Sequence, residues 1–106
     1  MTIELYYFDG CPSYPQALDN LIAALALERL PAEVEMIRVR GTTDAEAKCF
    51  PGSPTIRING EDIDVAPADG RGFVYGCRMY EEDGRRAGWP SVDRIRQAIQ
   101  RERTGA

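Results

Sequence analysis

The stretch FDGCPSYPQALDNLI, residues 8–22, joins a strand-like run to a helix-like run and decides how the fold begins. The run before it, TIELYYF at 2–8, is rich in β-branched and aromatic residues, which predicts a buried strand. After it, leucine and isoleucine side chains recur at i, i+3, i+4 and i+7, which predicts a helix over about 13–29. Proline is tolerated in a helix only in its first turn, so Pro15 requires this helix to begin just after Cys11.

Working outward, the rest of the chain predicts three further strands and two further helices. They are a second strand at 34–39, a short helix at about 44–50 capped by Thr42 or Thr43, a strand from Thr55 to Ile58, a returning strand at 61–65 after the Asn59-Gly60 turn, and a last helix capped by Ser91. A short extended piece is expected at 77–80, before a turn at Asp83-Gly84. Because nothing repeats and no linker divides the chain, residues 1–106 are expected to form a single domain.

Composition limits the possible partners. The chain has 106 residues and a net charge of −4, with arginines spread along it rather than gathered on one face, so a nucleic-acid partner is not expected. No apolar run approaches the ~20 residues that cross a bilayer, so no membrane partner is expected. Three cysteines without paired spacing fit a reducing compartment, and we expect the protein to be cytoplasmic.

The chain contains no histidine. This absence excludes Ser-His-Asp and Cys-His catalysis and any zinc site that depends on imidazole. A nucleophile in this protein must therefore be activated by something else, and a helix N-terminus is one such source because its dipole favours a negative charge. Cys11 is placed for this, with Ser13 as a possible donor and Asp9 as an opposing charge.

The element order, together with several residues, resembles the thioredoxin/glutaredoxin superfamily. The residues that carry the resemblance are Cys11 at the first strand-to-helix turn, Pro54 and Thr55 opening the third strand, the Asn59-Gly60 hairpin and the closing stretch GWPSVDRIRQAI at 88–99. More closely, the chain is similar to small, poorly characterised bacterial thioredoxin-like proteins that carry a Cys-Arg-hydrophobic-Tyr segment, here CRMY at 77–80.

The resemblance implies a fold and a binding platform. The implied fold is an α/β three-layer sandwich, with a central four-stranded mixed sheet and helices on both faces. The Ser53–Pro54 bond is implied to be cis, and Ser53, Pro54 and Thr55 are implied to form the substrate platform, beside Ser13 and Tyr14. The backbone of Ser53 is implied to pair with an extended peptide or a glutathione-like tripeptide.

One departure from the superfamily bears directly on mechanism. Relatives carry Cys-x-x-Cys or Cys-x-x-Ser, whereas Tyr14 stands three residues after Cys11 here, so no local resolving thiol exists. We therefore expect thiol–disulfide exchange with Cys11 as nucleophile and a small thiol or a protein disulfide as partner. Three routes remain open: Cys11 acts alone, Cys77 resolves its mixed disulfide, or both thiolates hold a soft metal ion.

No cofactor is expected beyond a low-molecular-weight thiol such as glutathione. Cys49 is expected to be a small buried apolar residue without a redox role. Tyr14 is expected either to gate Cys11 or to pack against Pro12. The alternative from another class is a non-enzymatic binding or scaffold protein on the same fold.

Overall fold

The computed structural model describes residues 1–64 and 75–104. Its elements are β1 (Ile3–Tyr7), α1 (Tyr14–Leu27), β2 (Glu35–Arg38), α2 (Thr42–Ala47), β3 (Thr55–Ile58), β4 (Glu61–Asp62), β5 (Tyr80–Glu82), β6 (Arg85–Ala87) and α3 (Val92–Thr104). Each predicted strand and helix has a counterpart: β3 has the predicted bounds, β1, α1, β2 and β4 are shorter, and α2 begins two residues and ends three residues earlier than predicted. The predicted turn at Asp83-Gly84 joins β5 and β6 into a second hairpin, whose strands were not predicted except for Tyr80 at the end of the expected extended piece.

The main sheet has four strands in the order β2-β1-β3-β4. β1 runs parallel to β2 and antiparallel to β3, and β4 is antiparallel to β3, so the sheet is mixed. In this register Tyr6 lies opposite Thr55. The chain leaving β1 and the chain entering β3 therefore meet at one end of the sheet, which is the end where Cys11 lies.

Each face of the sheet carries its own apolar cluster. Successive residues of a strand point to opposite faces, and in β1 Leu5 belongs to the larger cluster while Tyr6 belongs to the smaller. The larger cluster joins the sheet to α1 and α3, and the smaller joins it to Ala45 of α2 and to Phe50. Within 1–64 and 75–104, no helix is both long and apolar enough to cross a membrane.

The end of α2 corrects the expectation for Cys49, which is exposed rather than buried. The Phe50 amide donates to the Ala45 carbonyl at 2.8 Å and the Cys49 amide to the Glu46 carbonyl at 3.2 Å, which is a Schellman arrangement. That motif requires a left-handed residue just beyond the helix, and Cys49 takes it with φ 53°. The turn sends Phe50 into the core and leaves the Cys49 side chain in solvent.

The start of α2 also differs from the prediction. Gly41, rather than Thr42 or Thr43, is the N-cap residue, and it offers no side chain to the helix. Asp44 compensates by accepting a hydrogen bond from the Arg40 amide at 2.9 Å. The acidic side chain of the first turn therefore reaches back over the helix start, which makes a hydroxyl cap unnecessary.

Two tight turns form the hairpins. Asn59 and Gly60 have φ values of 54° and 84°, and Asp83 and Gly84 have 51° and 79°, the conformation that two-residue hairpins favour. β4 ends at Asp62, earlier than the predicted 61–65, and residue 65 lies outside the described part of the chain. The strand stops because the Asp62 carboxylate accepts the amide of Asp64 at 3.0 Å in an Asx turn.

Candidate functional site

Cys11 lies in the turn between β1 and α1. Its amide donates to the Phe8 carbonyl at 3.1 Å, and its side chain is 3% exposed. α1 begins three residues later at Tyr14, with Ser13 at the N-cap and no acidic residue in the first turn. The thiol is therefore buried close to the positive end of a helix of 14 residues.

The neighbours of Cys11 in sequence are engaged elsewhere. The Tyr14 ring packs on the Tyr7 ring with centroids 4.4 Å apart. Ser13 makes no side-chain cap hydrogen bond, and its hydroxyl lies against the backbone of Gly88, where an added Cβ would come within 2.3 Å of it. A role of Ser13 and Tyr14 in substrate binding stays a prediction.

The Asp9 carboxylate also has a partner that sequence reasoning missed. It pairs with the guanidinium of Arg38 at 3.0 Å, at the end of β2. Both side chains are largely exposed, so the pair contributes little to stability. It does offset the negative charge two residues before the thiol. Parallel pairing of β1 with β2 brings this arginine close.

Ser53 is already paired with the chain's own backbone. Its amide donates to the Gly76 carbonyl at 2.8 Å, and its carbonyl accepts the amide of Arg78 at 2.9 Å, forming a parallel bridge to Cys77. We call residues 75–80 the strap. The Ser53–Pro54 bond is cis, as the resemblance implies. The backbone groups that were expected to receive a substrate are thus occupied by the strap.

Arg78 fastens the strap to the sheet. Its guanidinium pairs with the Asp62 carboxylate at 2.8 Å, donates to the Thr55 hydroxyl at 3.2 Å and donates to the carbonyl of Asp64. Burial opposes its charged form, but Tyr80, Asp62 and Asp64 outweigh burial and raise the pKa of Arg78. Arg78 is therefore a buried anchor, 8% exposed, although arginine is seldom buried.

Tyr80 provides the second anchor. Its hydroxyl donates to the Pro54 carbonyl at 2.6 Å, and burial raises the pKa of this phenol well above its ordinary value. The guanidinium of Arg78 lies 4.7 Å from the centre of the Tyr80 ring. Arg78 and Tyr80 therefore anchor the strap to residues of the main sheet and to the loop that enters β3.

Gly52 allows the strap to lie this close. An added Cβ there would come within 2.9 Å of the Arg78 Cβ, and its φ of 131° already disfavours any side chain. The Thr55 hydroxyl donates to the Gly52 carbonyl at 2.6 Å and also receives Arg78, so its hydrogen-bonding capacity is used within the protein. Thr55 therefore links the Gly52 carbonyl to the Arg78 side chain of the strap.

The strap and the Cys11 turn lie at the same end of the sheet. Phe8 precedes Cys11 by three residues, and its ring packs against the ring of Tyr75 with centroids 5.1 Å apart. Along the strap, Arg78 and Tyr80 are buried, whereas Cys77 and Met79 are exposed. Cys11 and Cys77 are both free thiols, one beneath the surface and one on it.

Among the described residues at this end of the sheet, one buried side-chain oxygen has no hydrogen-bond partner. The side chain of Ser53 is fully buried, and its hydroxyl has no hydrogen-bond partner within residues 1–64 and 75–104. Leaving a buried hydroxyl unpaired costs about 1–3 kcal/mol. Ser53, which carries the strap bridge, therefore also holds a buried hydroxyl that none of the described residues pairs with.

Sequence reasoning missed Arg78, Tyr80 and Asp62 as parts of this site. The signal present was the period of two in CRMY, which predicts that Arg78 and Tyr80 share one face. A charged side chain on a strand is normally assigned to solvent, and no residue close to Arg78 in sequence indicated that Asp62 is its partner. The partners of Arg57 were likewise not indicated by its neighbours in sequence. Its guanidinium donates to the carbonyls of Lys48 and Cys49 and lies 4.4 Å from the Tyr6 ring centre.

Comparison of the chain with protein-family models, curated proteins and solved structures gave no match. Within the described residues, no three or more His, Cys, Asp or Glu side chains are grouped so that they could hold a metal ion. The candidate site consists of the buried Cys11 thiol and the exposed Cys77 thiol, which lies on the strap.

Proposed function

We propose that this chain is a thioredoxin-like thiol–disulfide redox protein of a reducing compartment, with Cys11 as its nucleophile and Cys77 as its resolving thiol. The placement of the Cys77 segment beside the Cys11 turn carries the proposal. The Ser53–Cys77 bridge and the packing of Phe8 on Tyr75 bring the Cys77 segment to the turn that holds Cys11. The sheet order β2-β1-β3-β4, with α1 and α3 on one face and α2 on the other, supports the thioredoxin-like assignment.

The chemistry proceeds in two exchanges. The Cys11 thiolate attacks one sulfur of a partner disulfide, the partner S–S bond breaks, and the other half leaves as a thiolate with the bonding electron pair. The Cys77 thiolate then attacks the Cys11 sulfur, forming a Cys11–Cys77 disulfide and releasing the first half as a thiolate. The partner disulfide is reduced by two electrons and the two cysteines are oxidised. Two molecules of a low-molecular-weight thiol of the compartment then reduce the Cys11–Cys77 disulfide in two successive exchanges and leave joined as their own disulfide.

A specific observation favours a second candidate, a non-enzymatic binding or scaffold protein. Cys11 is 3% exposed, and the backbone edge at Ser53 is satisfied by the strap. If reagents do not reach the Cys11 thiol, this side chain contributes to packing and has no redox role. Soft-metal binding by Cys11 and Cys77 ranks third, because it rests on two thiolates alone.

Thiol reactivity distinguishes these candidates. We expect Cys11, in a Cys49→Ser, Cys77→Ser background, to form a mixed disulfide with a small disulfide at least ~10 times faster than the same cysteine in an unfolded peptide of residues 8–22, as activated thiols do. The Cys11→Ser variant is the control for remaining labelling. Mass spectrometry of the intact protein against pH gives the rates.

The resolving step has its own readout. With Cys77 restored, the mixed disulfide should disappear and an internal Cys11–Cys77 disulfide should replace it, whereas Cys77→Ser should leave the mixed disulfide in place. A Cys11 that reacts more slowly than the peptide thiol at every pH would contradict the redox proposal and favour the scaffold. A mixed disulfide that persists with Cys77 present would remove Cys77 from the mechanism alone.

A further inference from the structure

We propose that the strap is a built-in occupant of the peptide-binding edge at Ser53, so that Cys11 exchanges with small disulfides and excludes extended polypeptides. This inference rests on the proposed function and names its substrate class. It starts from the bridge itself: an extended segment, residues 76–78, bonds to both backbone groups of Ser53 at 2.8 and 2.9 Å. The edge therefore accepts an extended chain, and the chain it holds is its own.

A polypeptide that added itself at Ser53 would have to replace the strap. A residue's N–H and C=O each form one good bond along such an edge, so two strands cannot pair there at once. Replacing the strap also means pulling the Arg78 backbone away from Gly52, where the two residues are in close contact. Arg78 would then lose Asp62, and Tyr80 would lose the Pro54 carbonyl.

The anchors make this replacement unfavourable. Arg78 is 8% exposed and Tyr80 is 1% exposed, and separating a buried charge from its partner is strongly destabilising. A competing peptide brings two new backbone bonds but no substitute for these side-chain contacts. A small disulfide has no need of the edge, because it must only reach the Cys11 sulfur. The strap therefore selects by size and shape.

The test compares two probes with one leaving group in the Cys49→Ser, Cys77→Ser background. One probe is cysteine joined by a disulfide to thionitrobenzoate, and the other is an extended, proline-free decapeptide with the same group on a central cysteine. In each reaction the probe S–S bond breaks, a Cys11–S–S–R bond forms, and the coloured thionitrobenzoate leaves with the electron pair. The ratio of the two rates, divided by the ratio for the unfolded 8–22 peptide, measures selectivity.

We expect the protein to favour the small probe by about a hundredfold, since opening the strap separates the buried Arg78 guanidinium from the partly buried Asp62 carboxylate. Arg78→Met should reduce this preference at least ~10-fold, and Tyr80→Phe, which keeps the ring in place, should reduce it less. Arg86→Met is the matched control, because its pair with Glu81 is exposed and lies outside the strap. It should leave the preference unchanged.

Hydrogen exchange tests the strap without any thiol chemistry. In the Cys11→Ser variant the amides of residues 53 and 78 should be protected together, and Arg78→Met should release both by a similar factor while the β1 amides stay protected. If these two amides exchange like an unfolded chain in the unmodified strap, or if both probes react equally well, the inference is wrong and the proposed function stands. If neither probe reacts faster than with the 8–22 peptide in any variant, the proposed function is wrong and the selectivity proposal with it.

Discussion

At the scale of single residues, Arg78 determines how this end of the molecule is built. One side chain bonds to β3 through Thr55, to β4 through Asp62 and to the chain beyond β4 through the Asp64 carbonyl. Its planar fork suits several acceptors at once, which a lysine ammonium does not match. The residue is therefore structural in its contacts, although its position beside a cysteine invites a catalytic interpretation.

Arg78→Met tests this role through stability. Removing the guanidinium leaves the Asp62 carboxylate, 20% exposed, without its partner, and we expect a loss of about 3 kcal/mol in the free energy of unfolding. Denaturant titration followed by circular dichroism measures it. Arg86→Met breaks only an exposed pair and should cost at most ~0.5 kcal/mol. Equal losses in the two variants would show that Arg78 is no anchor.

At the scale of elements, two serines hold the same nominal position with different contacts. Ser91 precedes α3, and its hydroxyl accepts the Arg94 amide at 3.1 Å while its own amide and hydroxyl donate to the Glu82 carboxylate. Ser13 precedes α1 and makes no such bond. Because of Glu82, the cap of α3 also holds the second hairpin against the helix.

Ser91→Ala and Ser13→Ala therefore form a matched pair. The first should lower the free energy of unfolding by about 1–2 kcal/mol, as the loss of a working N-cap does. The second should change it by no more than a few tenths, because no cap bond is lost. Thermal denaturation of both variants provides the comparison. A larger loss for Ser13 would mean that its contact with Gly88 matters more than the cap.

How far sequence reasoning succeeds depends on how local the signal is. The apolar spacing of α1, the Asn59-Gly60 turn and the Ser91 cap each lie within a few residues, and all were predicted. The pairing of the strap with Ser53 was not, because this bridge joins Ser53 to Cys77 across the whole β3–β4 hairpin and the chain that follows it, and its anchor Arg78 has the polarity of a surface residue. Cys49 was wrongly predicted as buried because the left-handed position after α2, which usually carries glycine, is here filled by Cys49, so no glycine marked the turn that exposes its side chain.

At the scale of the whole molecule, charged side chains join the two helices that share one face of the sheet. Glu28 follows α1, and it accepts hydrogen bonds from Arg96 at 2.9 Å and Gln100 at 3.0 Å, with Arg103 at 3.3 Å. The hydrogen bond from Arg96 is the main reason that the pKa of Glu28 lies below its ordinary value of 4.5. Glu28 therefore ties the C-terminal end of α1 to three residues spaced along α3.

The pH dependence of stability reports on this contact. Because the pKa of Glu28 is lowered in the folded state, its carboxylate stabilises the protein above the unfolded pKa, and this contribution is lost as the pH falls through the folded pKa. Glu28→Gln should therefore be less stable than the parent at pH 7, and the difference should shrink on acidification. Glu33→Gln, at an exposed loop position, is the control. A difference that does not vary with pH would point to packing instead.

The close approach of Gly52 and Arg78 also has an evolutionary consequence. A side chain at position 52 would clash with the strap, whereas a strap that has lost the Arg78 anchor could lie farther from position 52. The fitness effect of a change at either position therefore depends on the residue at the other, which is epistasis in the geneticist's sense. Once one of these two residues is lost, the other is no longer constrained, and on our proposal the thiol end of the protein would then admit larger partners.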